Sequence, residues 1–401
     1  MKPKPSKNAL ILLFIFCSLA NAAEWQAVAP INTARGQFAA GVIDNKIYIF
    51  GGQDNNGNHL YSTEMLDLAN PSAWTFVADN TNDRIDFTSE HSGASLNGKF
   101  YVFGTYYGEK PKSGVNAVEE YDPAINTWTS KKSMPTNRYN AVAASYNNEI
   151  FVVGGEYTQS ENSTPAYYKV VEAYNPANDS WRKVTNMPTL RILPGIAVAG
   201  SKAYLFGGAL VSDWKAYNNV YVYDFATKKW TKSGLTGLPT PRIFSFGHAA
   251  PILNGKIYLI GGATVGKKPN LIPSTKVEIY DPVSNTWQAG PSLPQPAFWG
   301  DAVAAGNEIY VIGGQTGQGE SSIVASVWKL ADSWKSTLIA QETCDLNADG
   351  KNSSVDAGLF TNACKAGSAY WQCDLNSDSQ FNTKDTAAYK LLWKNAKKSC
   401  S

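Results

Sequence analysis

The sequence predicts an all-β repeat fold, a ring of small sheets, followed by a small α-helical domain built on two metal-binding loops. Three observations carry this. An apolar run ending in glycine returns six times, at intervals of about fifty residues. A tyrosine with a tryptophan seven residues later returns between those runs. Two Asp/Asn-rich segments of matching spacing, with every late cysteine, occupy the last sixty or so residues.

The first element is a processing segment. Lys2, Lys4 and Lys7 precede an apolar run from Ala9 to Leu19, short of the roughly 20 residues a membrane-spanning helix needs. Ala20-Asn21-Ala22 is a small-residue cleavage site, so residues 1–22 read as a signal peptide and the mature chain as secreted or periplasmic. Cys17 leaves with it, and the bulky Phe16 argues against lipid attachment there. Cleavage removes three lysines and no acid, so the formal charge of +2 becomes about −1. No basic patch suggests nucleic acid, and no later stretch is apolar enough to span a membrane. A soluble monomer is expected.

The repeats come next. The apolar runs close on Gly51, Gly104, Gly154, Gly207, Gly261 and Gly313. A second glycine follows in five (Gly52, Gly155, Gly208, Gly262, Gly314), and Thr105 stands there in the second repeat. Three residues before each first glycine sits an aromatic: Tyr48, Tyr101, Phe151, Tyr204, Tyr258 or Tyr310. Runs such as Lys46-Ile47-Tyr48-Ile49-Phe50 read as strands buried on both faces. Paired glycines permit positive φ and close backbone approach at the end of a crowded strand. Downstream, Tyr121, Tyr174, Tyr223 and Tyr280 precede Trp128, Trp181, Trp230 and Trp287 across Asp-Pro-type turns. Trp74 and Trp334 continue the series with weaker flanks. One such sheet cannot bury both faces alone, so radial stacking is the natural solution.

Over residues 24 to 340 this pattern resembles the kelch repeat. The resemblance implies a β-propeller with four-stranded blades, and six glycine hairpins imply six blades, over residues 23–340. Trp25 precedes the first hairpin, so one terminal strand should close the ring, with Trp25 and Trp334 as the two candidates. Kelch proteins commonly carry an arginine before the innermost strand. Arg35, Arg138 and Arg191 stand sixteen residues before the glycine pair, Arg84 and Arg242 a few residues earlier, and Ala297 replaces arginine in the last repeat beside Phe298 and Trp299. Two roles are open for them: binding acidic ligand groups at the channel mouth, or hydrogen-bonding loop carbonyls within the blade. His91 and His248 share a position thirteen residues before Gly104 and Gly261, where a ligand-binding or catalytic role stands beside a structural one. Trp299, with Phe298, Tyr106, Tyr107, Tyr157 and Trp214, is placed to stack on sugar rings. The expected function is recognition of a glycan or protein. The alternative is a carbohydrate-active enzyme, of sugar epimerase, mutarotase or lyase type. Copper chemistry of the galactose oxidase kind is excluded, because residues 23–340 contain no cysteine.

The last element carries the most specific metal chemistry. Asp345, Asn347, Asp349, Ser353 and Asp356 occupy positions 1, 3, 5, 9 and 12 of an EF-hand-type loop, with the Lys351 carbonyl at position 7. Asp374, Asn376, Asp378, Asn382 and Asp385 repeat the pattern with the Gln380 carbonyl. Such spacing wraps oxygen ligands around a hard cation, so two Ca2+ sites are expected. Cys344, Cys364, Cys373 and Cys400 form an even set, read as two disulfides. Aspartate at position 12 and helical patterns after each loop resemble dockerin domains over residues 343 to 396, giving a domain at 341–401. That resemblance implies a cohesin-like partner, contacted at Ser354, Val355, Thr383 and Lys384, and a link to polysaccharide processing. Duplicated domains bring their termini together, which favours Cys344–Cys400 and Cys364–Cys373.

Overall fold

Two-residue turns start every blade. Asp44-Asn45 and Asn147-Asn148 hold positive φ at both positions, and Asn97-Gly98 and Asn254-Gly255 do the same. That conformation twists with the flanking strands and joins them as tight hairpins. The computed structural model describes residues 24–80, 89–105, 115–158, 164–210, 215–244, 250–266 and 270–331. Residues Trp25–Asp332 form one compact unit.

Six four-stranded antiparallel sheets make up this unit. Blade one comprises Ala39–Ile43, Lys46–Phe50, Thr63–Asp67 and Trp74–Phe76. Blade two comprises Ser92–Leu96, Lys99–Phe103, Val118–Asp122 and Thr127–Ser130. Blade three follows with Val142–Tyr146, Glu149–Val153, Val170–Asn175 and Ser180–Asn186. Blade four has Gly195–Ala199, Lys202–Phe206, Val220–Asp224 and Lys229–Thr231. Blade five has Ile252–Leu253, Lys256–Ile260, Val277–Asp281 and Thr286–Ala289. Blade six takes Asp301–Ala305, Glu308–Ile312 and Val327–Ala331 from the end of the unit and Trp25–Val28 from its beginning. Trp25 pairs with Leu330, so the N-terminal strand closes the ring. First strands of neighbouring blades touch one another and line the centre. The result is a six-bladed β-propeller. Its only helix among the described residues is the 3-10 turn Glu320–Ser322.

Period-two alternation explains the continuous apolar runs. In blade one, Ile47 and Ile49 pack with Tyr310 and Ile312 of blade six. Tyr48 and Phe50, on the opposite face, pack with Phe100, Val102, Tyr121 and Trp128 of blade two. Each second strand therefore belongs to two cores at once.

The tyrosine–tryptophan signature is a clamp between sheet and chain crossover. Five outer-strand tryptophans donate their ring N–H to a carbonyl of the segment leading into the same blade: Trp25 to Pro291, Trp74 to Ala29, Trp128 to Ala78, Trp181 to Lys132 and Trp287 to Thr236, at 2.9 to 3.1 Å. In blades two, three and five the tyrosine hydroxyl donates to an Asn or Asp side chain five residues on, at Asn126, Asp179 and Asn285. That same oxygen accepts a crossover N–H, from Ala78, Lys132 and Thr236 respectively. The Asn or Asp sits at positive φ, which these side chains tolerate better than most. Blade four has Lys228 at this place, also at positive φ, and there the Trp230 ring N–H has no partner. Lys228→Asn should therefore stabilise the propeller by about 1 kcal/mol, the net worth of a hydrogen bond with relief of backbone strain. A urea titration of the two proteins checks this.

Candidate functional site

Of the two roles open for the arginines, the geometry is that of hydrogen bonding to carbonyls within the blade. Arg35, Arg138, Arg191 and Arg242 are each at most 1% exposed. Each guanidinium donates to the carbonyl of the first glycine of its own blade: Gly51, Gly154, Gly207 and Gly261. In blades one, three and five it also meets a buried third-strand carboxylate, at Glu64, Glu172 and Glu278. In blade four Tyr221 replaces that glutamate, and the Arg191 guanidinium lies over its ring at 4.5 Å. Blade six lacks both partners, with Ala297 and Trp328 in their places. The backbone of the same segment reaches the next blade, since Arg35 and Arg242 carbonyls accept the second-glycine N–H of Gly314 and Gly208. Arg242 was displaced in the sequence because its blade carries three more residues before the inner hairpin: its partner glycine is 19 residues on, against 16 for Arg35. Thr33, Thr136, Thr189 and Thr240, two residues before the arginines, are the better sequence marker.

His91 is fully buried, and its Nδ1 donates to the Gly104 carbonyl at 2.7 Å. It thus performs in blade two the task that arginine performs elsewhere. Glu90, His91 and Arg138 do not converge, because Arg138 turns to Glu172 and His91 to Gly104. His248, Arg84, Tyr106, Tyr107 and Trp214 lie outside the described residues, as do residues 1–22. So do the predicted calcium ligands from Asp345 to Asp385 and Cys344, Cys364, Cys373 and Cys400.

The mouth itself is made by the residues two places after the arginines. Gln37, Glu90, Asn140, Leu193 and Trp299 all hold φ between 51 and 61°. Each costs roughly 1–3 kcal/mol in this region unless the surroundings enforce it. Here a circuit of backbone hydrogen bonds does so. Gln37 N–H donates to the Trp299 carbonyl, Glu90 N–H to Gln37, Asn140 N–H to Glu90, and Phe244 N–H to Leu193. Behind this ring, the residue after each glycine pair bridges back to the residue after the arginine, as in Gly36 with Gln53 and Tyr139 with Glu156. The second glycine makes room for this approach. A Cβ on Gly52 would meet the Gly36 carbonyl at 2.5 Å, and one on Gly155 would meet the Tyr139 carbonyl at 2.7 Å.

These two positions split the mouth chemically. Blades four to six contribute Ile192, Leu193, Ala209, Ile243, Ala263 and Phe298, a packed apolar cluster edged by the partly exposed Tyr167, Val265, Leu271 and Trp299. Blades one to three, with Glu320 from blade six, contribute a polar cavity of about 360 Å³, lined by Gln37, Gln53, His59, Ser89, Glu90, Tyr139, Asn140, Glu156 and Glu320. Asn140 is 6% exposed and donates Nδ2 to Glu156 Oε1 at 2.8 Å. Glu90 Oε2 and Asn140 Oδ1 have no hydrogen-bond partner. The Glu90 residue is partly exposed but this oxygen is shielded from water, and burial, then the Glu156 charge, push its carboxyl up to about 8. Glu156 is raised by burial as well. His59 is lowered by burial, against the opposing pull of Glu320. Among the described residues no set of three or more His, Cys, Asp or Glu side chains is arranged to hold a metal ion. No helix among them is long and apolar enough to cross a membrane.

A ring of six sheets with a polar cavity at one mouth defines a propeller of the kind that presents loops to a ligand. The chain belongs to the kelch-repeat family: the KLHDC2/KLHL20/DRC7 Kelch-repeats domain model matches residues 4–208 and 193–358. It is 26% identical over 291 residues to beta-scruin of Limulus polyphemus, covering 69% of this chain and 30% of that protein. It is 25% identical to Kelch-like protein terF of Aspergillus terreus, covering 70% of this chain and 61% of the relative. A third relative is N-(sulfonatooxy)prop-2-enimidothioate sulfolyase of Thlaspi arvense, 27% identical over 61% of this chain and 76% of that one. The chain thus spans between about a third and three-fifths of the length of the first two. A solved structure titled "Structure of YjhT" shares the fold, with a TM-score of 0.61 at 20% identity over 75% of this chain and 96% of its own.

Two substitutions separate structural from mouth residues. Arg138→Ala leaves Glu172 buried without its counter-charge and should cost about 3–5 kcal/mol of stability. Arg191→Ala abandons no carboxylate and should cost less, about 1–3 kcal/mol; thermal melts of both variants check the order. Glu90→Gln should act in the opposite direction. Below the ordinary carboxyl range both folded and unfolded chains hold the proton. Between that range and pH 8 the unfolded chain releases it while the folded chain keeps it, so this carboxyl lowers stability as pH rises. The variant should melt a few degrees above wild type at pH 8 and level with it at pH 4, measured by calorimetry.

Proposed function

We propose that this chain is an exported recognition protein, in which the propeller mouth binds a glycan or protein ligand and the C-terminal tail binds calcium for stability or attachment. The observation that carries the reading is the cavity over blades one to three. It holds shielded, unpartnered acceptor oxygens on a ring of strained residues, and buried polar groups are otherwise almost always satisfied. Strain concentrates where a protein binds or reacts. Beta-scruin and the Kelch-like proteins among its relatives share the propeller, and the loops of such a scaffold are natural contact surface. Export rests on the basic start, apolar run and Ala20-Asn21-Ala22 site, and the tail reading on the paired loops at Asp345 and Asp374. A cohesin-like partner of the tail belongs to the same proposal.

A carbohydrate-active enzyme is the second reading. Its support is Glu90, a carboxyl held near pH 8, in the range where an acid or base works best at neutral pH. The arginine and histidine that such a site would recruit are engaged elsewhere.

The test is a screen of residues 23–401 on glycan and peptide arrays, in calcium and in EGTA. Asn140→Trp, which installs the residue blade six carries at the same place, should abolish binding and, by giving up the Asn140–Glu156 bond in left-handed backbone, lower the melting temperature by a few degrees while the propeller still folds, checked by circular dichroism. EGTA should lower the melting of the tail and leave mouth binding intact. Retained binding in Asn140→Trp would remove the mouth from the proposal, and product formation from a bound sugar would favour the enzyme.

A further inference from the structure

Several buried carboxylates of this propeller are held by cations. Glu64, Glu172 and Glu278 each hold an arginine, and Glu120 holds Lys99 and Lys131. Glu90 and Glu156, which line the mouth cavity together, meet no Lys or Arg among the described residues, and the exposed Glu320 at its edge interacts with His59. Shielded carboxylates without a cation are unstable as anions, and folded proteins pair them or leave them to a ligand.

A second observation points the same way. Asn140 lines the cavity, is 6% exposed, donates Nδ2 to Glu156, and is also hydrogen-bonded to the Glu90 carboxyl, a bond that opposes the upward push of burial there. The bond to Glu156 fixes its orientation, because the reversed amide would set oxygen against carboxylate oxygen. Oδ1 is thereby left as an acceptor with no donor, as is Glu90 Oε2. No Lys or Arg lines the cavity, and these two acceptor oxygens want both a positive charge and donors. A guanidinium or ammonium group supplies both, and guanidinium supplies five donors in a planar fork.

We propose that the cavity over blades one to three is a receptor for a lysine or arginine side chain of a protein partner, with an adjacent apolar residue seated against the edge formed by Trp299 and Tyr167. This deepens the recognition reading above and rests on it. A protein is favoured over an amino sugar by the second half of the mouth. Trp299 joins the cavity through the Gln37–Trp299 backbone bond, and Tyr167 pairs with Glu156. An apolar edge thus meets the acidic cavity on both sides, which suits a basic residue beside an apolar one. The cavity is at the low end of the range for ligand pockets, about 300–1,000 Å³, in keeping with one long side chain. The raised Glu90 carboxyl is the counterpart of the missing cation: desolvation and Glu156 raise it, and a bound cation competes with its proton. The other titratable groups facing the cavity are Glu156, Glu320, His59 and Tyr139.

The test is selection from a random heptapeptide display library on residues 23–401 at pH 8.5, beside the Glu90→Gln/Glu156→Gln variant, with thermal melts confirming that both fold. Enrichment of Arg or Lys next to an apolar residue is expected, and it should vanish on the variant. A synthetic selected peptide should lose at least tenfold in affinity when its basic residue becomes citrulline or norleucine. Chitosan oligosaccharides are titrated in parallel. Their binding in place of peptides would overturn the protein partner. Selection of neutral or acidic peptides that Asn140→Trp abolishes would overturn the cation and keep the mouth. Selection that survives Asn140→Trp would bring down both readings, and no peptide selection at all would overturn the basic-residue receptor and leave the recognition reading to the glycan array. If the double variant does not fold, the comparison with citrulline peptides on the wild-type protein decides the matter alone.

Discussion

Every blade here is a four-stranded sheet that is apolar on both faces, and that constraint organises the molecule. The second strand of blade one sends Ile47 and Ile49 into one core and Tyr48 and Phe50 into the next. Removing either neighbour would expose one of these sets to water, so the sheets are stable only as a closed ring. Closure by Trp25–Val28 on Val327–Ala331 follows from the same need. It gives blade six its fourth, outermost strand.

Close stacking leaves backbone groups inside, and polar side chains answer them. The first-glycine carbonyls are capped by Arg35, Arg138, Arg191 and Arg242, and by His91 in blade two. The crossovers are held by Trp N–H groups and by the Tyr–Asx pairs. A buried arginine beside a buried glutamate adds little net stability over an apolar pair, yet removing one partner is costly. Such pairs therefore specify geometry: they fix the glycine turn, and the glycine turn fixes the mouth. Blades four and six depart from the rule in different ways: blade four keeps Arg191 and sets Tyr221 in place of the carboxylate, and blade six changes both partners, to Ala297 and Trp328.

The mouth inherits its character from this frame. Its residues stand between the arginine and the inner strand, held in left-handed backbone by neighbour-to-neighbour hydrogen bonds. Because the frame is repeated six times, the mouth positions are free to differ. Three blades use them for Gln37, Glu90 and Asn140, and others for Leu193, Phe244 and Trp299. Rigid scaffolding behind variable side chains is what a binding face requires.

The sequence by itself determined the ring. Glycine pairs, tyrosines and tryptophans at a fifty-residue interval report backbone and packing requirements that are local to each blade and legible in any one copy. The proposed calcium loops rest on the sequence alone, because the ligands proposed for each lie within twelve residues of one another. Tertiary structure decided the rest. Arg35, Arg138 and Arg191 looked alike as a ring at a mouth. Only the fold showed their guanidinium groups turned inward, because the third-strand groups they meet, Glu64, Glu172 and Tyr221, are about thirty residues further along the chain. Glu90, Asn140 and Glu156 come from two blades and two kinds of position, and nothing in their local sequence joins them. Their cavity exists because ring closure brings separate loops to one end, and which charges there lack partners is a property of the assembled surface, not of any segment of the chain.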